Sequence, residues 1–262
     1  MSRTPRTLDE LDETNRFPVS ALFHEATKLT RARMLELQER IDAAGAGAPA
    51  RKIYPTRPST PLARKKRARF GGPRLDDVLA ARRSPRGGFR DAPIAAETLG
   101  ALLDASLGET AEGLRAWPSA GALYPLEIYL VATAVEGVSA GIHHFDPVAH
   151  RLAQIGDPIA KEALAELVFA RGPRGEDRWA HAAGALVLTA VFARTQQKYG
   201  ERGYRFAHIE AGHAAQNVLL AACALGLSAL PIGGFCEDAL GDALGLDPAV
   251  ESPIYVVLLG SA

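Results

Sequence analysis

From residue 211 to residue 236 the chain carries no Asp, Glu, Lys or Arg. A run of this kind has to be withdrawn from water, into a core, a subunit contact or a bilayer. A bilayer span needs about 20 predominantly apolar residues. Here His213, Gln216, Asn217, Gly226, Ser228, Pro231, Gly233 and Gly234 interrupt the run, so a membrane is not expected as a partner. The run reads instead as part of a helix over residues 204–225, stopped at Gly226 and followed by a loop. Small and apolar residues surround the second half of that helix, so it must be covered on every side, by one large core or by a second subunit.

The rest of the chain from residue 71 has the pattern of a single mixed domain. Further helices are expected over 75–82, 94–107, 159–169 and 237–244, with Gly108 placed, like Gly226, where a left-handed C-terminal residue is wanted. Strands are expected over 127–134, 185–192 and 254–259, rich in Val, Ile, Leu and Tyr. Their nearly continuous apolar character predicts a sheet covered on both faces. Residues 142–145 and 151–155, split by Asp146-Pro147, read as a hairpin. With 47% hydrophobic and 23% charged residues, global disorder is excluded.

Residues 1–70 form an N-terminal extension: an amphipathic helix over 30–43, a linker over 44–61, then the basic run Arg64-Lys65-Lys66-Arg67-Ala68-Arg69. Between Arg51 and Arg90 thirteen Lys or Arg face two acids, yet the whole chain balances at thirty basic and thirty acidic residues. Whole-molecule attraction to nucleic acid is therefore not expected, and nucleic-acid binding through the basic segment is a remote alternative. The first twenty residues hold no apolar run suited to an export signal. Cys223 and Cys236 are the only cysteines, which fits a reducing cytoplasm.

GxxxxGK[ST], GxGxxG after a strand, HExxH and GxSxG are all absent, which weighs against P-loop, Rossmann, zincin and α/β-hydrolase chemistry. His143, His144, Asp146 and His150 cluster, but a strand would point His143 and His144 to opposite faces, so no metal is expected. Three other segments can carry chemistry. Arg82-Arg83-Ser84-Pro85-Arg86 offers forked donors for a phosphate and a polar ring edge. The small-residue loop Pro118-Ser119-Ala120-Gly121 lets backbone approach a flat ligand, with Ser119 as a polar contact, and Leu230-Pro231-Ile232-Gly233-Gly234 repeats the design. Together they suggest a planar, phosphorylated cofactor. Finally, Lys198-Tyr199 sits in a polar connection before the long helix. In an apolar cleft Lys could shed its proton, or a charged Lys could lower the pKa of Tyr, and either gives a base.

In the order RRSxR, PSAGALYPLEIYLV, KYGxRGYRF, EAGHAAQNVLLAA and GLxALPIGGF, these motifs resemble the FMN-dependent azoline dehydrogenases of the nitroreductase superfamily, the SagB/McbC type. The resemblance covers residues 74–260, and Phe23-His24-Glu25-Ala26-Thr27-Lys28 resembles a short N-terminal signature of the same group. It implies an α+β, nitroreductase-like fold: a central mixed, mainly antiparallel sheet covered by helices, in a homodimer with shared active sites over residues 71–262. It implies FMN held by Arg82, Arg83, Ser84 and Arg86, by Pro118, Ser119, Ala120 and Gly121 from the partner subunit, and by Leu230, Pro231, Ile232, Gly233 and Gly234. Lys198 and Tyr199 match the pair that marks azoline dehydrogenases. The implied reaction is oxidation of thiazolines or oxazolines in a ribosomal precursor peptide to thiazoles or oxazoles, with oxygen as electron acceptor. The rival is an NAD(P)H-dependent nitroreductase or quinone reductase on the same fold. The basic segment would dock an acidic leader peptide or a cyclodehydratase partner. Where many nitroreductases add a basic C-terminal residue for the flavin phosphate, this sequence reads Gly260-Ser261-Ala262, so Arg202 and Arg205 are considered as substitutes.

Overall fold

The apolar runs near residues 127, 185 and 254 become neighbours in the middle of one sheet. The computed structural model describes residues 18–44, 51–64, 72–85, 87–169, 179 and 181–262. Its strands are β1 (Ser59–Pro61), β2 (Leu126–Ala132), β3 (Gly141–Asp146), β4 (Arg151–Gly156), β5 (Gly184–Ala190), β6 (Leu227–Ile232) and β7 (Ser252–Ser261). They lie in the order β1-β4-β3-β2-β5-β7-β6, and each neighbouring pair is antiparallel. The expected α+β, nitroreductase-like architecture is present.

Alternation along the strands builds two cores. Ile128, Leu130, Leu186, Leu188 and Val257 join one with helices α4 (Ala96–Leu107) and α7 (Arg202–Ala224). Val131, Val187, Val256 and Leu258 join the other with Trp179, Leu164 of α5 (Lys161–Leu167) and Leu240 of α8 (Glu237–Ala243). Every residue of β2 and β5 is buried, which explains why these strands carry no polar face. The β3–β4 hairpin turns where Asp146 Oδ1 accepts from the N–H groups of Val148 and Ala149.

Three connections differ from expectation. Leu230, Pro231 and Ile232, expected in a loop, belong to the edge strand β6, paired with Leu258, Val257 and Val256. An edge strand tolerates proline because it has a side with no partner to receive its N–H. Residues 59–61, expected as linker, pair with β4 as the opposite edge. Gly108 is extended (φ −76°, ψ 178°) rather than left-handed. A Cβ there would meet the Asp104 carbonyl oxygen at 2.5 Å, so close approach explains this glycine. Gly226 does take the left-handed form, with φ 72°.

The extension also contributes α1 (Pro18–Ala26) and α2 (Arg31–Ala43), the latter capped by Thr30, whose hydroxyl accepts from the Arg33 N–H at 3.3 Å. The basic run lies outside the described residues beyond Arg64, which donates to the Val148 carbonyl at 2.5 Å. Among the described residues no helix is long and apolar enough to cross a membrane, and no group of three or more His, Cys, Asp and Glu could hold a metal ion.

Candidate active site

Lys198 and Tyr199 were expected in a loop; they instead close a short helix, α6 (Ala193–Tyr199). Gly200, with φ 57°, reverses the chain, and α7 starts two residues later. The corner is tight because Gly203 lies on the α6 backbone: a Cβ there would stand 2.6 Å from the Thr195 carbonyl carbon. The Thr195 hydroxyl ties the two helices through the carbonyls of Phe192 and Gly203.

Facing this corner is the loop before β2, folded around the 3-10 turn Ala120–Ala122. A Cβ on Gly121 would fall 2.5 Å from the Tyr199 hydroxyl and 3.4 Å from the Lys198 amine. Only glycine leaves room there. Ala122 (φ 53°) and Tyr124 (φ 45°) are also left-handed, which costs about 1–3 kcal/mol each for residues with a Cβ. A polar web holds them. The Ser119 hydroxyl accepts from the Tyr124 N–H at 2.9 Å and donates to Glu210 at 2.7 Å. The Trp117 indole donates to the other Glu210 oxygen, also at 2.7 Å. Arg194 donates to the Tyr124 carbonyl at 3.0 Å and to Glu127 at 2.5 Å.

Glu210 sits on α7 and is only 2% exposed. Burial pushes its carboxyl up to about 7, against the smaller opposing pull of the bonds from Ser119 and Trp117. Glu127 is equally buried, but its partners differ. Burial alone would raise it; the hydrogen bond from His144, then the charge of Arg194, outweigh that and hold it below the ordinary carboxylate value. Burial also pushes the Tyr199 phenol up. That direction is opposite to the lowered Tyr pKa considered for this pair.

The remaining expected site residues occupy two further borders of α7. Arg82, Arg83 and Ser84 follow α3 (Leu75–Ala81), which packs on α7. Arg82 and Ser84 are half-buried and Arg83 is exposed; Arg86 lies outside the described residues. Gly233 and Gly234 leave the end of β6, the neighbouring strand, with exposed backbone, and a Cβ on Gly233 would meet nothing within 4 Å. Arg202 and Arg205 donate to Thr27 of the extension, through its carbonyl at 2.7 Å and its hydroxyl respectively. Arg82 and Arg83, without a carboxylate partner among the described residues, and the open backbone of Gly233 and Gly234 suit a planar anionic cofactor. The Ser119 hydroxyl, expected to meet that cofactor, is turned inward.

Glu210 escaped the reading of the sequence. Its signal is legible: it is the last acid before the uncharged run, on a helix expected to be buried. Arg194 and Glu127 left no comparable mark, because Glu127 of β2 meets Arg194 of α6 and His144 of β3 only when the three elements pack. The signature Phe23-His24-Glu25-Ala26-Thr27-Lys28 lies on the KYGxRGYRF motif, with the Phe23 ring 5.5 Å from that of Tyr204 and Arg205 stacked over it.

Fold and site define an oxidoreductase of the nitroreductase superfamily. The Nitroreductase family profile matches residues 79–261, and the chain belongs to that family. MJ1384 of Methanocaldococcus jannaschii, which carries a nitroreductase name, is 35% identical over 193 residues, covering 71% of this chain and 90% of its own. The microcin B17-processing protein McbC of Escherichia coli is 30% identical over 150 residues, 56% of this chain and 54% of its own. The trifolitoxin-processing protein TfxB of Rhizobium leguminosarum bv. trifolii is 36% identical over 146 residues, 55% of this chain and 39% of its own. The chain thus spans about half or less of those two processing proteins, and its resemblance to the SagB/McbC type is borne out. A chain of the E. coli microcin synthetase McbBCD complex with truncated pro-MccB17 bound has the same fold, with a TM-score of 0.62 over 98% of both chains at 21% identity.

Proposed function

We propose that the chain is an FMN-dependent dehydrogenase that oxidises thiazolines or oxazolines in a ribosomal precursor peptide to the aromatic azoles. The observation that carries this reading is the meeting of the Lys198 amine and the Tyr199 hydroxyl at the space a Cβ on Gly121 would occupy, beside a loop held in a strained form. The ring hydrogen next to the carbonyl and imine is acidic and leaves as a proton. Burial raises the Tyr199 phenol, which disfavours the phenolate as the base, and we assign the proton-accepting role to Lys198 with Tyr199 as a hydrogen-bond donor to the substrate. Bound FMN would supply the acceptor for the hydride that leaves the neighbouring carbon, and oxygen would take the electrons onward. Arg82, Arg83 and Ser84 would hold its phosphate and ring edge, and the backbone at 233–234 would lie along the ring.

The exposed face of α7, with Tyr204, His208, Ile209, Gly212, His213 and Gln216, is what a second subunit would cover. A groove lined by Leu75, Val78 and Leu79 of α3 and Leu220, Ala221 and Ala224 of α7 continues that surface. Names of two relatives, processing proteins for microcin B17 and trifolitoxin, support a peptide substrate, and the fold shared with a chain of the McbBCD complex supports a synthetase complex as partner. The test is mass spectrometry of a cyclised peptide after incubation with the pure FMN-loaded protein. Azole formation removes two hydrogens, so each ring should lose about two daltons; an unchanged mass overturns the reading. The similarity to the nitroreductase-named MJ1384 favours the second reading, an NAD(P)H-dependent reductase, which predicts rapid bleaching of the bound flavin by NADPH.

A further inference from the structure

Between the extension and the α6–α7 corner lies a cavity of about 220 Å³ whose wall includes Tyr199. At ~30 Å³ per water it has room for several waters, or for one acidic side chain with adjoining backbone. Arg33 and Arg40 of α2 and Arg202 of α7 line it. Arg33 donates to the carbonyls of Glu25, Ala26 and Lys28, and Arg202 to that of Thr27. Carbonyls satisfy donors without cancelling a full charge. Arg40 makes no hydrogen bond to a described residue and rests near Gly200, 4.0 Å from where its Cβ would be. Glu36 and Glu201 also line the cavity, and Lys28 is already paired with Glu25 at 2.5 Å. Among the described residues no carboxylate comes within 4.0 Å of Arg33, Arg40 or Arg202. Three guanidiniums without an ion pair among the described residues therefore line a space whose wall includes Tyr199, and with Lys28 they outnumber the lining carboxylates Glu36 and Glu201. Planar guanidinium is the side chain best matched to carboxylate.

We propose that this cavity is a carboxylate-binding pocket on the substrate side of the site, taking an acidic group of the peptide while the ring to be oxidised reaches Tyr199. The proposal rests on the dehydrogenase reading for the identity of the peptide, and deepens it by assigning a preference for acidic substrates. Arg40 is the residue to change: it is exposed, it supports no backbone contact, and Gln is as good a helix former as Arg.

The experiment uses full-length, FMN-loaded protein and three synthetic thiazoline peptides: one with Asp beside the ring and an amidated C-terminus, one with Asn and the amide, and one with Asn and a free C-terminal carboxylate. A KM for an acidic peptide about tenfold below that of the neutral one is expected, as for a charge-assisted bidentate contact. R40Q should raise that KM about fivefold to tenfold, leave kcat within about twofold, and leave the neutral peptide unaffected. The Asp and free-acid arms tell a side-chain carboxylate from a terminal one. Anisotropy of the same peptides carrying a fluorophore gives a readout independent of turnover. Arg40-dependent binding without oxidation would keep the pocket and remove the dehydrogenase reading. Equal binding of acidic and neutral peptides, or an R40Q variant that weakens FMN binding instead, overturns the pocket.

Discussion

The two halves of α7 share one helix and obey different rules. From Ala211 onward Ala214, Ala215, Val218, Leu219 and Ala222 disappear into the core beneath β2 and β5. They make their contribution by volume, and almost any well-packed apolar set could replace them. From Arg202 to Glu210 the helix is wired by hydrogen bonds and charge instead: Arg202 and Arg205 to Thr27, Gly203 to α6, Glu210 to Ser119 and Trp117. A core half fixes where the helix lies. A wired half fixes where the loop and the Lys198–Tyr199 pair lie relative to it.

The sharpest way to separate the halves is at the pair itself. Lys198→Ala with Tyr199→Phe should cost about 10²- to 10⁴-fold in turnover, a typical general acid–base contribution. The melting temperature should be little changed, and Lys198→Ala alone should account for most of the loss. Full azole formation by the double variant would remove the assigned roles. In the core half, Leu219→Ala should lower stability by about 2–4 kcal/mol through the cavity it leaves, read as a fall in denaturant midpoint, while turnover per folded molecule holds. A Leu219→Ala variant that lost turnover without losing stability would merge the two halves into one.

Glu210 tests the boundary between them. Its folded-state pKa of about 7 stands above the ordinary 4.5, so folding favours the protonated form. Its favourable share is complete below the unfolded value and is lost as pH rises through about 7. Glu210→Gln cannot ionise, and should gain on the wild type between about pH 5 and pH 8.5 by up to roughly 3 kcal/mol. Parallel melting curves across that range would show that Glu210 titrates normally. The smallest effect is expected where the extension meets the wired half. Phe23→Ala removes an edge-on aromatic pair with Tyr204 and the stacking of Arg205, worth about 1 kcal/mol. Faster amide exchange in α1 and α2, with none in α4, is the expected readout.

Much of this was legible beforehand because it depends on local composition. Continuous apolar strands announced a sheet buried on both faces, and the uncharged run announced the core half of α7. Five ordered motifs carried the family. Misreadings fell where sequence signals are ambiguous: Pro231 and the prolines around Ser59 mark loops and edge strands alike, and a polar, charged α6 has too few residues to show a period.

Burial, chain direction and the identity of the candidate residues follow from the amino-acid order, because hydrophobic period and glycine placement act over a few residues. The meeting of Gly121 with Tyr199, the bonding of Ser119 to Glu210 ninety-one residues away, and three arginines around one cavity with no ion pair among the described residues do not. Those distances are set only when separate elements pack, since a side chain's partner, and with it its charge state, is chosen by whatever the completed core leaves within reach.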